Sequence, residues 1–318
     1  MTYRKSSSAA RDSRDRGLRW IDPGLIARFA EAGTDAHRLA SSPGTWVERF
    51  GADVLISYQR DEALAAARTE LAAWLAKSGL AVRRIFGRFL PRQNEDRHAP
   101  VLLEGDSALP VVTTVREAGL QYGVDFSAGY SAGLFFDQRA NRAFLRQARP
   151  KRLLNTFAYT CSFSVVAASV GAETVSVDLS KKSLDRGRTN FDLNELPQEA
   201  HRFIADDVLD VLPRLARRGE KFDAIVLDPP TFSRGNKGRK FQAEHDLAEL
   251  LDLALEVATP QARVLLSTNC TRITARDLEQ IGRAALQRLR RPVEMHREQE
   301  LPDLPAPYAA KTVWLFLR

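Results

Sequence analysis

In the second half of the chain, residues able to hold a ligand recur at the ends of short apolar runs. RLLNTFAYTC leads into the small and hydroxyl residues Thr160, Ser162 and Ser164 ahead of a helical stretch, whose first amides could meet an amino-acid carboxylate. ETVSVDLS ends in Asp178, 23 residues after Asn155, where a carboxylate can accept from both hydroxyls of a ribose. RFIADDV brings Asp206 and Asp207; Asp207 could accept from an adenine amino group, with Val208 as apolar contact. Singly, each aspartate is as readily a helix N-cap. In IVLDPPTF the apolar run leads into Asp228, and Pro229 and Pro230 remove two amide donors and stiffen the chain. Such a turn would hold Thr231 and Phe232 at the sheet's edge, where a flat base could stack on Phe232. A last run, VLLSTNC, delivers Asn269 and Cys270. Several such ends in order argue for one site, whereas the missing G-x-G-x-x-G disfavours a dinucleotide.

The elements that must position these residues follow from the pattern. From Arg152 onward, buried-type strands alternate with amphipathic helical stretches, which predicts an open, mostly parallel α/β sheet wound on both faces. TVWLFLR closes the chain as a further strand after a Pro-rich loop. Upstream, IDPGLIARFAEAGTDAHRL suggests a Pro-initiated short helix, ADVLISY and AVRRIFGRFL read as strands, and 60–79 reads as a helix ended by Gly79. PRQNEDRHAP reads as a polar loop, and PVLLEGD with VVTTVREAGLQYGVDF as hairpin material turning at Gly105 and Gly119. The division expected is a basic, partly disordered segment with a short helix (1–45), a small α+β domain (46–125) and the α/β domain (126–318). Residues 1–16 lack periodicity and are read as disordered.

Composition narrows the function classes. No run approaches the ~18 to 20 apolar residues of a membrane span, and the N-terminus has no apolar core of a signal peptide, so a cytoplasmic address is expected. The two cysteines, Cys161 and Cys270, lie far apart without metal-ligand spacing. The five histidines show no paired spacing, and no metal is called for. Lys and Arg number 47 against 40 Asp and Glu, a formal charge of +7 that favours a polyanionic partner. The basic stretch SRGNKGRKFQAEHD (233–246) directly after Phe232 is read as a flexible loop that grips phosphates. Arg283, Arg288, Arg290 and Arg291 could extend that surface.

The segments LFFDQRANRAFL, NTFAYTCSFSVVAASVGA, VSVDLSKKSLDRGRTNFDLN and FIADDVLDVLPRLARRGEKFDAIVLDPPTFS resemble bacterial class I methyltransferases that modify large-subunit ribosomal RNA. Two branches are similar, one making 5-methylcytosine and normally preceded by a PUA domain, the other making 7-methylguanine. The resemblance covers about residues 126–318. It implies a Rossmann-like class I methyltransferase sheet, mostly parallel with an antiparallel last strand, preceded by a small α+β domain. It implies S-adenosylmethionine as cofactor and RNA as partner, with monomer and homodimer both open. It places cofactor contacts at Phe157, Ala158, Tyr159, Asp178, Leu179, Asp207 and Asp228, and Thr160, Ser180 and Val208 are expected beside them. It also sets Asp137, Gln138 and Arg139 beside the cofactor. Two departures stand out. Cys161 replaces the usual glycine after Tyr-Thr, which argues against a left-handed backbone there, and no PUA domain is visible.

The acceptor decides the chemistry. Carbon 5 of a pyrimidine needs a thiolate adduct at carbon 6, and Cys270 stands where the cytosine branch keeps such a cysteine. A ring nitrogen of guanine is already nucleophilic and needs mainly positioning. Asp228 and Asn269 would then hold the base edge, beside the Pro229, Pro230, Thr231 and Phe232 turn. A methyltransferase acting on a small molecule or protein, and an inactive cofactor-binding assembly factor, are the alternatives.

Overall fold

The computed structural model describes residues 17–91, 97–235, 238–297, 300–305 and 309–318. The expected disorder of 1–16, the centre of the 91–100 loop and the middle of the final Pro-rich loop lie outside these residues.

A six-stranded sheet comes first: β1 (Arg19–Trp20), β2 (Ala36–Ser42), β3 (Thr45–Phe50), β4 (Asp53–Tyr58), β5 (Arg84–Phe89) and β6 (Val101–Gly105), paired in that order. Helices α1 (Pro23–Glu31) and α2 (Asp61–Ser78) are inserted in it. The helix expected from the prolyl start forms with Asp22 as N-cap, its side chain accepting from the Gly24 amide at 2.7 Å. β4 and β5 run parallel and the other pairs antiparallel, as the α2 crossover requires. The boundary expected at 45/46 falls within β3, in the β2–β3 hairpin. β2 escapes a hydropathy reading because its text, AHRLASS, is polar yet almost wholly buried. Arg38 pairs with Glu48 at 3.0 Å, and its amide donates to Asp303. β6 pairs with β5, so the hairpin of this region is instead β7 (Val112–Glu117) with β8 (Leu120–Asp125), turning at Ala118 and Gly119.

After a 3₁₀ turn (Phe136–Gln138) and α3 (Arg139–Ala148) the α/β unit follows. Its elements are β9 (Arg152–Thr156), α4 (Ser162–Ala168), β10 (Glu173–Asp178), α5 (Lys181–Leu193), β11 (His201–Ala205), α6 (Val208–Arg217) and β12 (Phe222–Leu227). A short hairpin of β13 (Phe232–Arg234) and β14 (Lys240–Gln242) leads into α7 (Ala243–Leu255). Then come β15 (Ala258–Thr268), α8 (Ala275–Arg288), β16 (Glu294–His296) and β17 (Lys311–Phe316).

The sheet order is β11-β10-β9-β12-β15-β17-β16, parallel through β15, with β17 running antiparallel to both of its neighbours, β15 and β16. Strand alternation divides its side chains between two layers. Leu154, Ile225, Leu227, Val264 and Leu266 pack with α6, α7 and α8, while Leu153, Ala224, Val226, Leu265 and Trp314 pack with α3 and α4. The two sheets share a core as well: Phe50, Leu55 and Phe86 of the first lie in one cluster with Val165, Leu184 and Phe191 of the second. The chain order reverses between β9 and β12, which opens a crevice at the strands' carboxyl ends.

Candidate functional site

A cavity of about 390 Å³ occupies that crevice. β9 delivers into it a loop whose Phe157, Tyr159 and Cys161 all have positive φ, at 51°, 47° and 60°. Each left-handed non-glycine residue costs roughly 1 kcal/mol or more, so three at alternate positions form a strained turn held by its surroundings. The hold is visible. The Tyr159 amide donates to Asp178 Oδ2 at 2.8 Å, the Ala158 amide to Val177 O, and the Tyr159 hydroxyl to Ser131 O at 2.7 Å. The left-handed conformation at Cys161 corrects the expectation drawn from its replacing glycine. Space for its side chain comes from α5, where Gly187 faces it; a Cβ on Gly187 would lie 2.5 Å from the Cys161 sulfur. Burial pushes the Cys161 thiol up to about 12.

Asp178, ending β10, also accepts from the Ser180 amide at 2.8 Å, and burial raises its carboxyl against those two bonds. Asp228, ending β12, is half-buried on the cavity wall; burial first, then the nearby Asp137 charge, raise it to about 6. Gln138 fixes that carboxylate, since its Nε2 donates to Asp228 Oδ2 at 3.0 Å and to Ser267 Oγ at 2.8 Å. Gln138 is itself oriented: Asn141 Nδ2 donates to its Oε1 at 2.9 Å, and Trp314 Nε1 donates to Asn141 Oδ1 at 2.9 Å. A buried chain of amides thus ties the antiparallel strand β17 to Asp228.

The structure brings together on this cavity Gln138, Phe157, Ala158, Tyr159, Asp178, Leu179, Ser180, Val208, Asp228, Pro229, Pro230 and Asn269. Others expected there lie elsewhere. Arg139 turns away to Asp303, at 3.0 and 2.8 Å, and stacks over Phe29. Thr160 is buried, its hydroxyl donating to Gly133 O at 2.6 Å. Asp207 is the N-cap of α6, accepting from the Leu209 amide at 3.0 Å, and only its neighbour Val208 reaches the cavity. Thr231, Phe232 and Cys270 line a separate, more open depression of about 440 Å³ with Gln242, Glu244 and Arg272. Phe232 is 39% exposed there and Cys270 3%. The basic stretch 233–246 is not a plain loop: its two arms pair as β13 and β14, and its end begins α7.

Sequence reasoning missed Phe135, Arg142, Phe163 and Ser233 on the cavity wall. Arg142 carried a signal only in its partner, for Glu117 engages it at 2.6 and 2.7 Å and cancels its charge. The cavity's remaining charged groups are the carboxyls Asp137, Asp178 and Asp228 against apolar Phe135, Phe157, Leu179, Val208 and the two prolines. An acidic, largely apolar crevice of this size suits a drug-sized ligand bearing positive charge. Among the described residues, no group of His, Cys, Asp and Glu is placed to hold a metal ion, and no helix is long and apolar enough to cross a membrane.

A switch-point crevice in a parallel sheet with an antiparallel last strand, reached by an acidic strand end, defines a Rossmann-like class I methyltransferase fold. The chain belongs to the S-adenosylmethionine-dependent methyltransferase family, whose model matches residues 35–316. The "Ribosomal RNA large subunit methyltransferase I" of Enterobacter sp. (strain 638) is 32% identical over 265 residues, 78% of this chain and 64% of that protein. The protein of that name from Escherichia coli O157:H7 is 33% identical, with the same coverage. The chain thus spans just under two thirds of these relatives' length. Among solved structures, SMU.776 complexed with SAH superposes with a TM-score of 0.78 at 25% identity, over 92% of this chain and 78% of that one. The SAM-dependent methyltransferase from Agrobacterium tumefaciens reaches 0.69 at 24% identity, over 89% and 90%, and supports the fold. S-adenosylmethionine is the cofactor of this family, and the acidic cavity suits its sulfonium and ammonium charges.

Proposed function

We propose that this protein transfers a methyl group from S-adenosylmethionine to a base of large-subunit ribosomal RNA. The carrying observation is the side-by-side placement of an acidic cavity and a depression that displays Phe232. The names of these relatives support the RNA, and a cytoplasmic place of action goes with it. When bound, the cofactor supplies an electrophilic methyl carbon on a sulfonium. Asp178 would accept from its ribose hydroxyls, Leu179 and Val208 would flank its adenine, and the strained 157–161 turn would take its amino-acid end. Phe232 stacks on the acceptor base, and the Pro229–Pro230 turn holds that ring against the cavity mouth. Asp228, kept in place by Gln138, and Asn269 take the base's polar edge. Transfer then rests on alignment within a site shielded from water.

Two acceptor atoms fit this arrangement. The presence of Cys270 in the Phe232 depression favours carbon 5 of cytosine, with the thiolate adding at carbon 6. The presence of Asp228 and Asn269 on the cavity wall favours the ring nitrogen of guanine, which needs no covalent partner. Labelled methyl from S-adenosylmethionine should enter ribosomal RNA from a strain lacking this gene, and mass mapping of the product nucleotide names the atom. Cofactor binding without label in that RNA overturns the proposal.

A further inference from the structure

Beside the acidic cavity, across a rim made of Ser131, Tyr159 and Ser180, lies a second depression of about 140 Å³. Its charge is opposite. Arg186 forms its floor, with Nη2 donating to Ala132 O at 2.5 Å and Nη1 to the Tyr159 hydroxyl at 3.3 Å. Lys182 and Ser183 line one side and Tyr130 the other. Two further guanidiniums sit over the Tyr130 ring, Arg97 at 4.7 Å and Arg88 at 5.2 Å from its centroid. Arg88 is paired with Glu48 at 3.3 Å. Among the described residues, Arg97, Lys182 and Arg186 have no ion-pair partner. The nearby carboxylates are held by neutral donors: Asp125 accepts from the Ser127 amide and hydroxyl, and Asp178 from the Tyr159 and Ser180 amides. Among the described residues, three cations without an ion-pair partner and a serine hydroxyl thus gather beside the rim of the cofactor cavity, which is itself acidic.

We propose that this depression is a phosphate subsite, taking a backbone phosphate of a single-stranded RNA segment next to the acceptor nucleotide. Opposite charge on the two sides of one rim sorts the ligands: the sulfonium cofactor goes to the carboxylates, the polyanion to Arg97, Lys182 and Arg186. A strand held there and at Phe232 would cross the cavity mouth, so that phosphate contacts set the register in which one base is presented. The inference rests on the RNA reading above, and its test separates the two.

The probe is a fluorescein-labelled, mixed-sequence single-stranded RNA of roughly 12 nucleotides, titrated into the full-length protein at several salt concentrations. The variants are Lys182→Ala, Arg97→Ala and the double variant, with Arg186→Lys as a milder change at the floor. S-adenosylmethionine affinity is measured by calorimetry on the same preparations. The double variant should lose about tenfold in RNA affinity at low salt, and its log K against log salt slope should shrink by about 0.7 for each phosphate contact removed. Cofactor affinity should stay at the parent value. Parent-like RNA affinity and slope in all variants would overturn the subsite while leaving the RNA reading standing. Cofactor affinity that falls in step with RNA affinity would also overturn it, by assigning the depression to the cofactor. A parent protein that neither binds this RNA nor methylates ribosomal RNA overturns both.

Discussion

The acidic cavity and the Phe232 depression are neighbours built in different ways. Parallel strand ends, which the core cannot move, make up the cavity wall, and its polar groups are locked by bonds such as Tyr159 N to Asp178 and Gln138 to Asp228. The depression is made by a three-residue-strand hairpin, the start of α7 and the turn after β15, and its aromatic ring stands in solvent. One is shaped before its ligand arrives; the other is a surface on which a partner supplies the missing wall. Preorganisation of the first lowers the ordering cost of a small ligand. For a large acceptor the second must be open, and selectivity then rests on few contacts.

Substitutions can break this contrast, beginning with the largest effect. Cys270→Ala should abolish transfer, by about a thousandfold or more, if a thiolate adduct is required; activity within about threefold of the parent, read by labelled-methyl incorporation, removes the cytosine reading. Asp178→Ala deletes the carboxylate that organises both the ligand wall and the strained turn. Loss of charged hydrogen bonds of ~1.5–3 kcal/mol should weaken S-adenosylmethionine about a hundredfold by calorimetry. A change under threefold would take Asp178 out of the cofactor site.

Phe232→Ala should raise the RNA KM about tenfold, the ~1–3 kcal/mol of a stacked base, while the cofactor dissociation constant stays fixed. An unchanged KM would mean that the exposed ring is not a stacking surface. The smallest effect concerns proton linkage at Asp228. Because its folded pKa, about 6, lies above the ordinary 3.8, the protonated form is favoured in the native state. Its stabilising share is complete below about pH 4 and is lost as pH rises through about 6. Asp228→Asn should flatten denaturation midpoints between pH 4 and 8, by on the order of 2 kcal/mol allowing for partial solvent exposure. Parallel pH profiles for parent and variant would dismiss that shift.

Legibility in the sequence followed the same contrast. Apolar runs ending in Asp178 and Asp228 marked the sheet and its crevice, because burial on both faces of a parallel strand leaves an uninterrupted hydrophobic text. Thr160, Arg139 and Asp207 do not line the cavity, since residue type announces a hydrogen-bonding capacity but not its target. Thr160 spends its donor on Gly133, Arg139 its charge on a carboxylate 164 positions away, and Asp207 its acceptor on a helix end. β2 was hidden for a related reason, its buried Arg38 being tolerable only through Glu48, which lies on the next strand. The amide chain from Trp314 to Asp228 spans the end of the sheet and α3, and no local spacing encodes it.

The pairing of Cys161 with Gly187 has a use outside catalysis. A thiol that stays protonated up to about pH 12 and lies sealed against a helix is unreactive towards alkylating reagents in the native state. Its labelling rate therefore clocks the separation of α5 from the 157–161 turn, an intrinsic probe of opening in the core behind that turn. Ligand binding to the crevice should slow the clock in proportion to its occupancy.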